Sequence, residues 1–213
     1  MKPLFVFLLF PFFSIAQEAE LNGVVTYFFN DYQSNKPDIG AKVYLIDSSS
    51  NPNFDFQTLY NFRYGSFYRN LYSRYLEIEK INENIIKEYG KKKLYKQIVD
   101  DSKLKAEEAR SKSKNYYSEM EKYGVETKEK YDSLDKKCVF MIYKIDQSNS
   151  LLKSVNGVGS YSFKLKPGIY YVLMISKNRT SLNMTESTGK IYCEKLRIKE
   201  NESKDISYNF ELY

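Results

Sequence analysis

The 213 residues include no histidine and no tryptophan. Lack of histidine removes the usual general base, the usual partner of a Ser or Cys nucleophile and the commonest zinc ligand. Lack of tryptophan removes the ring most used in sugar-binding platforms. Cysteine is scarce, with only Cys138 and Cys193. In an exported chain two thiols can pair, so these form a candidate disulfide; the alternative is two small buried hydrophobes. A catalytic thiol is not expected, because no histidine can activate either one. No cofactor motif is present, and none is expected to bind.

Long apolar runs are also missing. Leu4–Phe13 spans ten residues, and the later runs at 138–143 and 169–175 are shorter still. None reaches the length of a membrane-spanning helix. The first run follows Lys2 and precedes Ser14 and Ala16, small residues suited to cleavage before Gln17. Residues 1-16 therefore read as a secretory signal peptide. No cysteine follows the run, so a lipid anchor is not expected. The mature chain is expected in the periplasm, on the cell surface or in the medium, without a membrane span.

Beyond Lys2 the chain carries 32 basic and 27 acidic residues, a net charge of +5. The signs are mixed: Phe54–Lys137 holds 19 basic and 15 acidic residues. Mixed charge on helices is usually a solvated face. Lys91–Lys93 is the longest basic run and lacks any base-reading context, so nucleic acid is not an expected partner. Neighbouring carboxylates occur at Asp100-Asp101 and Glu107-Glu108. On a helix such neighbours point about 100° apart and do not converge on one substrate. An enzyme is not expected.

Strand patterns fall on both sides of the charged segment Phe54–Lys137. Leu21–Phe29 and Ala41–Asp47 flank a polar loop, Asn30–Asp38. Ala41, Val43 and Leu45 fall in one phase of the second strand, and Lys42, Tyr44 and Ile46 in the other. Cys138–Asp146 is apolar in both phases and reads as a covered strand. Asn156-Gly157 signals a tight turn, after which Tyr161, Phe163 and Leu165 alternate with polar residues. Pro167-Gly168 suits the centre of a type II turn leading into Ile169–Ser176. Lys190–Lys199 and Asp205–Tyr213 complete seven strands, a number that suits a β-sandwich.

Gly23, Pro37, Gly40, Ala41, Val43, Gly157, Gly159, Tyr161, Phe163, Pro167, Gly168 and Tyr170 follow a pattern of turn glycines and core positions. In these residues the chain resembles the carboxypeptidase regulatory-like domains, whose transthyretin-like sandwich is also described as a carbohydrate-binding-like fold. The resemblance implies a non-catalytic module on an exported bacterial protein, and it carries over no catalytic residue. Two departures stand out. Asn156 occupies a position where aspartate is common, and about eighty residues separate the second and third strands.

That expansion has helical periodicity. Tyr60, Tyr64, Phe67, Leu71, Tyr75, Ile78, Asn82, Ile85 and Tyr89 recur at an average step near 3.6 residues. Gly90 marks the helix end and Lys91–Lys93 a turn. Leu94, Ile98, Ser102, Ala106, Ala109, Ser113, Tyr116, Met120 and Tyr123 form a second stripe. The two predict an antiparallel hairpin in which Leu71 and Tyr75 face Ala109 and Ser113. Gly65 is a weak point in the first helix. Asn82 is either a register-setting polar residue or a tolerated one.

The expected architecture is α+β: a seven-stranded antiparallel sandwich of transthyretin-like type, split as 17-53 and 138-213, with a helical hairpin insertion at 54-137. Removal of the insertion should leave a soluble β-rich domain. Function is expected in the hairpin, as a protein-binding or structural arm of a cell-envelope module. Tyr68 and Tyr72 are candidate partner-binding aromatics, or else flank a core made by Tyr60 and Tyr64. A glycan-binding module is the alternative. Asn178, Asn183 and Asn201 each fit a glycosylation acceptor pattern that is common by chance.

Overall fold

A computed structural model describes residues 18–148, 150–179 and 190–211. The signal-peptide reading and Asn183 lie outside the described residues. The elements run β1 (Ala19–Asn30), β2 (Ser34–Pro37), β3 (Lys42–Asp47), α1 (Phe56–Tyr89), a 3-10 turn (Lys93–Tyr95), α2 (Lys96–Lys122), α3 (Lys128–Asp146), β4 (Leu151–Ser154), β5 (Ser160–Leu165), β6 (Gly168–Ile175), β7 (Ile191–Ile198), β8 (Ser203–Asp205) and β9 (Tyr208–Phe210).

The architecture is α+β, with two sheets and three α-helices among the described residues. One sheet is built on β1. Antiparallel β5 pairs with Ala19–Val24 and antiparallel β2 with its far end, while β8 and β9 run parallel along its other edge. The second sheet has the order β4-β3-β6-β7 and is antiparallel throughout. Leu21, Val25, Val43, Leu45, Phe163, Val172, Met174 and Phe210 fill a core between the sheets.

A second core lies on the other face of the β3-β6-β7 sheet. Tyr44, Ile46, Leu173, Ile175, Ile191 and Cys193 pack there against Leu59 and Phe62 of α1, and Tyr131, Cys138, Ile142 and Ile145 of α3. The sheet is thus buried on both faces, which explains why both phases of β3 are apolar from Val43 to Ile46. The helices form a third layer, so their base is not separable from the body. Loss of 54–137 would take Leu59, Phe62 and Tyr131 from the layer that packs with Tyr44, Ile46, Leu173 and Ile175, and leave Cys138, Ile142 and Ile145.

Cys138–Asp146, expected as a strand, is instead the second half of α3. Its buried positions Tyr131, Asp135, Cys138, Ile142 and Ile145 step by 4, 3, 4 and 3. The window from Cys138 hid this, because the register is set by Tyr131 upstream. Phe140 and Tyr143 are 57% and 63% exposed, which a covered strand would not allow. The Thr127 side chain caps α3 by accepting from the Lys130 amide. Of the predicted Asp205–Tyr213 strand, Tyr208–Phe210 forms β9, Asp205 ends the short β8, and residues 212–213 lie outside the described residues; the polar loop before Asp38 contains β2. β4 adds a further strand that no sequence pattern announced. These replace the expected seven strands.

The turn glycines differ in detail from expectation. The left-handed residue after Asn156 is Gly159 (φ 86°) rather than Gly157, and the Asn156 side chain accepts from the Val158 and Ser160 amides. Gly168 is not left-handed and opens β6, so the turn at Pro167 is not type II.

Candidate interaction surface

α1 is continuous over 34 residues, capped at its start by the Asp55 carboxylate accepting from the Thr58 amide at 3.1 Å. Gly65 does not break it. A Cβ at Gly65 would lie 2.8 Å from both methyls of buried Val125, so the glycine is where the chain leaving α2 crosses α1. α2 ends in a Schellman turn: the Val125 amide donates to Met120 and the Gly124 amide to Glu121, with Gly124 at φ 66°. Arg69 holds the same crossing by donating to the Val125 carbonyl at 2.9 Å.

From this root the two helices run out as a pair. Tyr60, Tyr64 and Tyr68 lie against Tyr123, at ring separations of 6.4, 5.8 and 5.7 Å. Tyr72 meets Tyr117 at 5.7 Å and Tyr75 meets Tyr116 at 5.5 Å. Farther out, Arg110 donates to Glu79 and Glu83, each at 2.7 Å. Beyond Tyr72 the arm continues for about 25 Å at 1.5 Å per residue. Among the described residues, α2 makes its extended contacts with α1.

The seam is displaced from the predicted one. Tyr75 faces Tyr116 and Lys112 rather than Ser113. The 3-10 turn at Lys93–Tyr95 lengthens the connection, so α2 starts later and its buried face becomes Val99, Ser102, Ala106, Ala109, Ser113 and Met120. The inner stripe from Ser102 onward holds, but Leu94 and Ile98, expected inside it, are 87% and 52% exposed. Buried Asn82 spends its amide on the Ile78 carbonyl of its own helix at 2.8 Å and donates nothing to α2. It therefore sets no register across the seam.

Tyr68 and Tyr72 are half-buried beside the second core, where their rings face α2. Cys138 and Cys193 come together in that core as free, buried thiols rather than a disulfide. Burial pushes the Cys193 thiol up to about 12 and Cys138 higher still, so neither is a thiolate at neutral pH.

A groove of about 370 Å³ lies between α1 and the ends of β7 and β9. Arg63 is its most prominent cation, 4.2 Å from the Tyr192 ring and 5.5 Å from Tyr208, with a 2.9 Å hydrogen bond to the Cys193 carbonyl. Burial, reinforced by Arg179, pushes the Lys190 ammonium down to about 8, and its Nζ donates to the Glu211 carbonyl. Arg63 thus ties β7 to α1, and Lys190 ties the start of β7 to the chain after β9. Among the described residues no cluster of acidic or Cys side chains has metal-binding geometry, and no helix is long and apolar enough to cross a membrane. No family model, curated protein or solved structure matches the chain.

Proposed function

We propose that the chain is an exported, non-catalytic module of the cell envelope that engages a partner protein through the α1–α2 arm. One observation carries this reading: among the described residues, the hairpin beyond Tyr72 packs on itself, while its base is built into the core. An element that adds so little to the core still costs conformational entropy to order. The rigid root and the reach suit presentation of a surface away from the body. The signal-like N-terminus supports export. A transthyretin-like sandwich of the carboxypeptidase regulatory-like type is part of the same proposal; two sheets facing across one core and tight backbone approaches at Gly23 and Gly159 support it. Recognition of a glycan through Tyr68 and Tyr72 is less favoured, because those rings pack against α2.

The test is crosslinking in the native cell envelope. Full-length protein is compared with a variant lacking residues 73–116, joined by a short glycine linker. Tyr72 and Tyr117 are neighbours, so the cut leaves the root intact. A partner captured by full-length protein should be lost from the shortened one. Equal capture by both would remove the arm from recognition.

A further inference from the structure

Leu94 and Ile98 have seam spacing but stand in water at the far end of the arm, where α2 buries Val99 in their place. Local contacts hold the tip that displays them. The Tyr89 and Tyr95 rings lie 4.9 Å apart, and the Lys92 ammonium lies over both, at 5.2 and 6.0 Å. The Gly90 amide closes α1 on the Ile86 carbonyl at 2.9 Å. Charge is concentrated here as nowhere else on the arm: residues 87–98 hold five lysines and one glutamate, a net +4. Lys91, Lys92, Lys93 and Lys96 are all exposed.

We propose that this tip docks on an anionic lipid bilayer. Leu94 and Ile98 enter the interfacial layer, and the surrounding lysines face the headgroup phosphates. Two apolar side chains ringed by flexible cations suit a surface that is greasy within and negative outside. Nucleic acid or an acidic glycan would satisfy the lysines but has no apolar interior for Leu94 and Ile98. A protein partner would usually present and need a broader apolar patch than two side chains. The docked arm would hold the β-body about 25 Å or more from the bilayer, a spacing set by the α-helical rise. The inference rests on reading the arm as the binding element, and it assigns the tip separately from the shaft.

Full-length protein is sedimented with vesicles of phosphatidylcholine alone or mixed with phosphatidylglycerol. Binding should be at least about tenfold stronger to the anionic vesicles and fall steeply with salt. The Leu94→Ser/Ile98→Ser double variant alters only exposed positions and should bind at least about fivefold more weakly, its lysines being intact. The chain has no tryptophan, so a Leu94→Trp variant provides a clean reporter whose emission should shift to the blue on anionic vesicles. The proposal is overturned by any of three results: no preference for anionic vesicles, unchanged binding by the double variant, or no shift from Leu94→Trp. Such a failure with envelope crosslinking still dependent on residues 73–116 would overturn the tip assignment and leave the arm reading standing.

Discussion

The Tyr161 hydroxyl donates to the Ile206 carbonyl at 2.6 Å. The same carbonyl sits where a side chain on Gly23 would begin, 2.1 Å from an ideal Cβ. Gly23 lies in β1 with β5 on one side and the β8–β9 segment on the other. The bond therefore ties three strands at the point where β8 gives way to β9. It also explains the break: β8 and β9 keep one register along β1, and Ile206 between them closes over the glycine.

Removing the hydroxyl with Tyr161→Phe takes the donor from a part-buried carbonyl, for a loss of about 1 kcal/mol. Gly23→Ala should cost more, because its clash is with backbone on a shared register and cannot be relieved by a rotamer change. Urea unfolding of the two variants checks both the losses and their order.

Gly65 presents the opposite conflict between local and tertiary preference. In an isolated helix Gly→Ala gains about 1 kcal/mol. Here the new methyl meets Val125, which is fully buried and β-branched, so it has little freedom to move. Gly65→Ala should destabilise the protein despite the propensity gain. Adding Val125→Ala to Gly65→Ala should cost less than Val125→Ala costs alone in wild type, a coupling that a double-mutant cycle on thermal unfolding would measure. Additive losses would mean that the two sites do not share the space.

Local pattern carried much of the fold. β3, β5, β6 and the long helix α1 were legible because their periods are clean and their ends are punctuated by Gly, Pro or Asn. α3 was misread because CVFMIY has no polar interruption, and a short apolar run has no period of its own. β4 was illegible because all four of its residues are exposed and it exists by pairing with β3. The tip was hidden by a difference of one position: Ile98 and Val99 are equally apolar, and only the extra 3-10 turn decides which faces α1. The resulting failure of pattern at Leu94 and Ile98 is what singles out the tip.

Asp135 is the least comfortable buried group in the helical layer. It is 7% exposed, and its Oδ1 has no hydrogen-bond partner among the described residues. Burial, with Asp132 adding repulsion, holds its carboxyl above the usual range. A carboxyl whose folded pKa is raised takes up its proton more readily in the folded state. Its protonation therefore favours the fold at low pH, and that benefit is lost as pH rises through the folded pKa. At neutral pH the charge is a burden, so Asp135→Asn should stabilise by about 1 kcal/mol. The gap between variant and wild type should be widest near neutral pH and narrow as pH falls toward the ordinary aspartate range near 4. Chemical unfolding of both proteins across that range checks the sign. A variant less stable than wild type at neutral pH would show that the ionised carboxylate contributes favourably to the core.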